Sequence, residues 1–371
     1  MSLLGDIVDR VLFPSREIHV VPVLDGAFSP NRRLDQARQL GGEIERPDDL
    51  ALGPDGALYV STEDRILRCA GPDFAQRTLF ATLDGVVGGL AWTPDGRLLA
   101  CVSKLGLVAL SPQGKVVGAL DRVGGETIAC PLSVTTAADG VIYLTDGSRA
   151  NPPELWLTDL MQNRQPSGRL IGCGSSFGGA EVRADKLAWP LGVAVSPDGE
   201  DVWVAESWAH RLTSYSRSGD RQRVIVKNYA GYPSRLARSS DGGAWMAFFG
   251  LRTQLTEFVL RERAFREEMM QTVSPDLWIG PVLDGRFNYR EPTQIGRIKK
   301  LGIQKPWAPA RSYGLVARLS ATGEALESLH SRVDGRIHGV MAVRQVGARV
   351  LAVSKGSNCL VELPLLREAQ Q

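Results

Sequence analysis

No run of about 20 apolar residues occurs anywhere in this 371-residue chain, so it offers no candidate for a membrane-spanning helix. The N-terminal stretch MSLLGDIVDRVLFPS is apolar only in short pieces, interrupted by Asp6, Asp9 and Arg10. It lacks the basic start and continuous apolar block of a secretory signal, and a cytoplasmic location away from membranes is the expectation. Neither charge sign dominates: 43 basic against 41 acidic residues leave a formal charge of +2, which gives no reason to expect a nucleic acid partner. CxxC spacing is also missing. The five cysteines, Cys69, Cys101, Cys130, Cys173 and Cys359, are an odd number placed mostly within predicted strands, where a thiol behaves as a small hydrophobe, so buried free thiols are expected. The P-loop spacing GxxxxGK[ST] and the zinc motif HExxH do not occur either.

What the chain does have is a phrase that recurs: an apolar run, Asp-Gly, and a second apolar run that mostly ends in Ser, Thr, Asp or Glu. It reads LALGPDGALYVST (Leu50 to Thr62), LAWTPDGRLLACV (Leu90 to Val102), VTTAADGVIYLTD (Val134 to Asp146), VAVSPDGEDVWVAE (Val193 to Glu206) and LARSSDGGAWMAF (Leu236 to Phe248). A degenerate sixth copy is VMAVRQVGARVLAVS (Val340 to Ser354). Asp-Gly between alternating apolar runs predicts a β-hairpin, because glycine accepts positive φ and the turn's twist suits the flanking strands. The turn aspartates Asp55, Asp95, Asp139, Asp198 and Asp241 recur at about 40 to 60 residues, the interval of four-stranded propeller blades. Six phrases predict an all-β, six-bladed β-propeller, and 43% hydrophobic residues are ample for its core. One propeller domain over residues 1–371 is expected.

Two segments fall outside the phrases. Glu17 to Leu24, EIHVVPVL, alternates like a strand and is expected to close the ring against the last blade. Residues 251–311 read as a helical insertion between blades five and six, with Phe258, Phe265 and Met269 along one stripe, followed by Trp278, Lys299, Lys300 and Trp307. Whether it caps one mouth of the channel or lies on the side of the ring stays open.

Beyond the hairpin phrases, VAESWAHRL (Val204 to Leu212), NYAGYPSRL (Asn228 to Leu236) and the long interruption before RSYGLVARLSATGEALESL (Arg311 to Leu329) resemble the strictosidine-synthase-like branch of the six-bladed propellers. That branch is related to the gluconolactonase (senescence marker protein 30) and paraoxonase families. In the calcium-dependent relatives, residues before each inner strand point oxygen ligands into the channel. Asp48 and Asp49 in RPDDLAL match those acidic positions. Leu132 and Ser133 in CPLSVTT replace an Asn-Asp pair, Leu191 in WPLGVAV replaces Asn, and Ser234 and Arg235 in GYPSRLA replace Asp-Asn. Too few oxygens remain for a hard divalent cation, so no metal ligand is assigned, no cofactor is expected and calcium is disfavoured.

Two carboxylates left in a narrow channel need another positive partner, and Arg235 is expected to pair with Asp48 or Asp49. In strictosidine synthase a glutamate before the last inner strand acts as acid and base, and aligning that stretch with GRIHGVMAV puts His338 there. A histidine near its usual pKa could move protons at neutral pH. Glu206, His210 and Asp146 read instead as framework groups tying strands together.

The resemblance implies an enzyme acting on a small molecule in the central channel, with hydrolysis of a lactone or ester as the leading reading. Its catalytic residues would be His338, Asp49 and Arg235, with Asp48, Leu132, Ser133, Leu191 and Ser234 contacting substrate. Metal-independent condensation or lyase chemistry of the strictosidine synthase kind, and a non-catalytic binding or scaffold propeller, stay open as alternatives. Oligomeric state is not legible in the sequence.

Overall fold

The computed structural model describes residues 20–285 and 312–365, together with the backbone of Lys299–Lys300 and Ile303–Gln304. Six four-stranded antiparallel sheets form the blades. Blade one comprises Pro47–Leu52, Leu58–Thr62, Arg65–Ala70 and Gln76–Thr82. Blade two comprises Val87–Trp92, Leu98–Val102, Gly106–Leu110 and Val116–Leu120. Blade three comprises Pro131–Thr136, Ile142–Asp146, Gly168–Cys173 and Glu181–Leu187. Blade four comprises Pro190–Val195, Asp201–Glu206, Arg211–Ser216 and Gln222–Val226. Blade five comprises Gly231–Arg238, Ala244–Leu251, Gly314–Leu319 and Ala325–Ser331. Blade six comprises Val340–Val346, Arg349–Ser354, Cys359–Glu362 and, from the start of the chain, Arg38–Gln39. Each first strand touches the first strands of the blades on either side, and blade six touches blade one, which makes a closed ring around an axis.

Every recurring phrase is the inner hairpin of a blade. In blade one the Gly53 amide donates to the Ala57 carbonyl at 2.8 Å and the Gly56 amide to the Gly53 carbonyl at 3.0 Å. Gly56 has φ +75°, while none of the turn aspartates has positive φ. The loop is therefore a type I turn followed by a left-handed glycine, not the mirror-image two-residue turn. The aspartate side chain accepts the amide two residues on, as Asp55 does from Ala57 at 3.2 Å.

Packing between blades fills the ring. Six apolar clusters each join two neighbouring blades, such as Tyr59, Ile66, Leu90 and Leu98 between blades one and two, and Trp245, Val316, Val343 and Val350 between blades five and six. All five cysteines are buried and free, and burial raises the Cys173 and Cys359 thiols to about 11.

Three expectations change. The ring is closed not by residues 17–24 but by Arg38–Gln39, which pair antiparallel with Cys359–Glu362. Residues 20–24 form no strand and Val23 is 81% exposed, while 17–19 lie outside the described residues. Leu34, Leu40 and Ile44, all buried, anchor the closing segment. The insertion lies inside blade five, between its second and third strands, because Gly314–Leu319 pairs with Ala244–Leu251 rather than opening a new blade. It begins with two helices rather than one, α2 (Gln254–Arg261) and α3 (Arg263–Thr272), separated at Glu262, whose ψ of 81° is not helical. Phe258 and Phe265 are consequently each 46% exposed, while Val259, Leu260 and Met269 are buried. Trp307 lies outside the described residues, and of Lys299 and Lys300 only the backbone is described. A further short helix, α1 (Trp156–Gln162), interrupts blade three. No helix among the described residues is long and apolar enough to cross a membrane.

Candidate functional site

Each inner strand enters the axis through a register shift at its first residues, so that two consecutive side chains are re-aimed towards the channel or its walls. The first member of the pair is Asp48, Gly88, Leu132, Leu191, Ser234 and Met341 around the ring. The second is Asp49, Gly89, Ser133, Gly192, Arg235 and Ala342.

Arg235 crosses the axis from blade five to blade one. Its Nη2 lies 2.5 Å from Asp48 Oδ1, its Nε lies 3.5 Å from Asp49 Oδ2, and Nη1 and Nη2 donate to the Asp48 and Leu132 carbonyls at 2.8 Å each. The expected pair with Asp48 is present. Gly88 leaves the guanidinium its room, since a Cβ there would stand 3.3 Å from Nη2 and 3.2 Å from the Leu132 carbonyl oxygen. Asp48 is also held by Lys355, whose Nζ lies 2.7 Å from Oδ2. Burial opposes ionisation of Asp48, but Arg235 and Lys355 together override it and hold the carboxyl at about 2. Asp49 accepts the Leu50 amide on Oδ1 and the Leu90 amide on Oδ2, each at 2.8 Å, and burial raises its carboxyl against the pull of Arg235 and Arg344.

This network divides the channel into two cavities that share Arg235. The upper one, about 540 Å³, lies at the mouth where the strands begin. Trp156, Trp189, Trp208 and Phe249 form an aromatic wall, with Trp189 and Trp208 stacked at 5.2 Å, and Leu132, Leu191 and Met341 extend it. Asp48, Arg235 and Lys355 form a charged floor, and Glu154, whose Oε1 accepts from Ser103 at 2.6 Å, stands at the rim. Helices α1, α2 and α3 pack onto this mouth through Leu160, Val259, Leu260 and Met269, in one apolar cluster with Leu132, Leu191 and Met341, and Leu283 reaches the cavity. The lower cavity, about 300 Å³, opens at the turn ends of the inner strands and includes Asp49 and Ser133.

His338 is elsewhere. It precedes the blade-six strand, and the side chain at the axis is Met341, three residues on. The ring is buried, with Nδ1 2.7 Å from Ser312 Oγ and Nε2 2.8 Å from the Arg332 carbonyl. The carbonyl can only accept, so Nε2 carries the proton and Nδ1 accepts from Ser312. Burial lowers its pKa, so the neutral form is favoured and both nitrogens are occupied by protein. His338 lines neither cavity, and neither does Ser234, whose hydroxyl donates to the Met341 carbonyl at 2.5 Å. Asp48, Leu132, Leu191 and Arg235 do meet in the upper cavity.

The framework residues behave as such. Glu206 receives Arg211 at 2.6 and 2.9 Å, Thr213 at 3.0 Å and the Ala188 amide at 3.0 Å. Asp146 pairs with the buried Arg169 at 2.5 Å and takes the Cys130 amide at 2.7 Å. His210 lies edge-on to Tyr232 and 3.8 Å from Glu257. Gly174 to Gly178, GSSFG, has the GxSxG spacing of a nucleophile elbow, but it forms an exposed hairpin turn with Gly174 and Gly178 bonded at 2.9 Å, outside both cavities.

Sequence reasoning missed Lys355, Met341, Glu154 and the tryptophans. A signal for Met341 was available: Pro47, Pro131, Pro190 and Pro233 each stand just before the re-aimed pair, and matching Val340 to these prolines puts Met341, not His338, at the axis.

A divalent cation does not fit the residues present. Around the axis Asp48 has both oxygens engaged by cations, Asp49 has both engaged by amides, and Leu132, Leu191 and Met341 supply no side-chain oxygen. Among the described residues no group of three or more His, Cys, Asp or Glu side chains could hold a metal ion. The Arg235 guanidinium stands where oxygens of blades one and three converge.

Family models described as strictosidine synthase and strictosidine synthase-like, N-terminal, match residues 132–220 and 26–69. The chain is thus similar to strictosidine-synthase-like propellers. It is 27% identical over 223 residues to Protein STRICTOSIDINE SYNTHASE-LIKE 6 of Arabidopsis thaliana, covering 58% of this chain and 60% of that one. It is 27% identical over 252 residues to the adipocyte plasma membrane-associated protein of Danio rerio, covering 62% and 60%. This propeller thus spans about three fifths of the length of these relatives. Among solved structures it superposes on a gluconolactonase from Xanthomonas campestris with a TM-score of 0.59 at 16% identity, covering 90% of this chain and 92% of that one. The calcium-binding protein regucalcin from Agrobacterium tumefaciens gives 0.55 at 11% identity, covering 88% and 93%. At such identities the likeness is one of fold.

Proposed function

We propose that this propeller binds a small amphipathic molecule in the upper cavity and hydrolyses an ester or lactone bond in it without a divalent cation. The observation that carries the reading is the junction, in one 540 Å³ cavity, of an aromatic wall with a floor holding the Lys355 ammonium and the Arg235 guanidinium. The wall takes the apolar body of the substrate and the floor its polar end. The gluconolactonase of the same fold makes a lactone a reasonable first substrate.

In this reading the carbonyl oxygen approaches Lys355, whose positive charge stabilises the oxyanion as water adds to the acyl carbon. Glu154 takes the proton of that water, and the proton passes to the departing alkoxide as the acyl C–O bond breaks. Arg235 acts from below, fixing the Asp48 that orients Lys355. His338 and Asp49 leave the catalytic set, the first because both nitrogens are bonded to protein, the second because its oxygens are capped by amides and it lines the other cavity. Condensation chemistry is weakened by Met341, which has no proton to move at the blade-six axis position.

Binding without turnover is the second reading, favoured by one observation: Asp48, Asp49 and Arg235 are satisfied by one another. A panel of aryl esters and lactones, assayed with and without chelator, separates the two. Chelator-insensitive turnover that falls tenfold or more in kcat/KM for Lys355→Met supports hydrolysis. Quenching of tryptophan fluorescence by the same compounds with no turnover supports binding alone.

A further inference from the structure

The cavity at the opposite mouth plays no part in that reaction. Four arginines, Arg217, Arg235, Arg238 and Arg344, line its 300 Å³, against one carboxylate, Asp49. Arg235 is matched by Asp48 and Asp49, and Arg217 by Asp139. The other two are differently placed. Arg344 donates from Nε to the Leu50 carbonyl at 2.7 Å and stands 3.9 Å from Asp49, which already faces Arg235. Arg238 donates to the Pro197 carbonyl, and the nearby Asp198 is bonded to Ser196 and the Glu200 amide. Carbonyl partners orient a guanidinium without neutralising it; Asp198 acts on Arg238 only through space and Asp49 stands 3.9 Å from Arg344, so these two guanidiniums line the cavity without a close carboxylate among the described residues. Thr136 adds a second sign: its hydroxyl is buried in the lining and has no hydrogen-bond partner among the described residues. Buried hydroxyls are almost always bonded, and here the cavity is where a partner would come from.

We propose that the lower mouth is a binding site for a small organic anion with a compact, doubly charged oxyanion head. Arg238 and Arg344 engage its oxygens from blades five and six, and Thr136 donates from blade three. Guanidinium forks suit such a head because two parallel N–H groups meet two oxygens. A phosphate ester and a dicarboxylate share this chemistry.

Isothermal titration of the full chain at physiological ionic strength, with inorganic pyrophosphate in one arm and malonate in the other, tests the site. One-to-one binding of either probe, weakened tenfold or more in Arg238→Gln/Arg344→Gln, is the expected result, and the tighter arm names the head group. Thr136→Val should weaken the same probe about fivefold, the loss of one hydrogen bond. Arg68→Gln, an arginine paired with Asp55 outside the cavity, should leave it unchanged. Thermal melting of each variant separates lost binding from lost folding. Absence of binding at millimolar probe, equal loss in Arg68→Gln, or no loss in the well-folded double variant overturns the proposal.

Discussion

Arg235 closes the channel through contacts with blades one and three, and its removal would leave Asp48 and Asp49 buried beside the space it filled. Breaking a buried pair from one side costs about 3–5 kcal/mol, more than an exposed pair of the same geometry. Arg235→Ala should lower the unfolding free energy measured in urea by that amount, and Arg235→Lys should recover only part, because an ammonium cannot reach the Asp48 and Leu132 carbonyls as a fork. The pH dependence follows from Asp48. Its carboxyl is held at about 2 in the folded protein, against about 3.9 unfolded, so the unfolded state binds the proton first as pH falls. The stabilisation, about 2–3 kcal/mol from that difference, is present above pH 4 and lost progressively towards pH 2. Unfolding free energies measured from pH 5 to pH 2 should lose that steep limb in Asp48→Asn. An unchanged limb would mean that Arg235 and Lys355 do not hold the carboxylate charged. Residue identity made the Arg235–Asp48 pair readable in advance, since two carboxylates and one arginine shared the axis positions. It could not place Lys355, which follows an ordinary strand, nor show that Ser312 and Arg332 occupy both nitrogens of His338.

At the scale of elements, legibility tracks how many residues carry the pattern. Every inner hairpin was readable because five to eight alternating residues flank a glycine whose positive φ the turn requires. The closing strand has two residues, Arg38 and Gln39, too few for alternation to show, and its hold comes from the apolar anchors around it and from Arg38 reaching Glu362 at 2.7 Å and Asp73 at 2.9 Å. The helical stripe of the insertion failed for a related reason: a single non-helical residue, Glu262, resets the face that each helix buries. The placement of ring closure can be tested by truncation. Leu40 is fully buried against blade six, and its amide donates to the Leu360 carbonyl at 2.9 Å. Leu40→Ala should cost about 2–5 kcal/mol, whereas Val23→Ala, in the segment first expected to close the ring, should change stability by no more than about 0.5 kcal/mol. Equal losses in chemical denaturation would return the closure to the earlier segment.

For the molecule as a whole, the first strand of each blade turns its short unpaired edge to the axis, where the ring shields it, so the axis is where chemistry can vary while the six inter-blade clusters stay the same. A guanidinium at that axis does the structural work a cation would do, drawing Asp48, Asp49 and the Asp48 and Leu132 carbonyls together. Chelators should therefore leave the melting temperature of the wild-type protein unchanged. Arg235→Ser makes the converse testable, since it removes the charge and exposes those oxygens to one another. Four protein oxygens and water approach the six to eight that calcium prefers, so millimolar calcium should raise the melting temperature of Arg235→Ser and not that of the wild type. Lys355 opposes this from the other oxygen of Asp48, and the double variant Arg235→Ser/Lys355→Met should respond more strongly than the single one. A wild-type melting temperature that falls with chelator would show that a metal, not Arg235, holds the blades together at the axis.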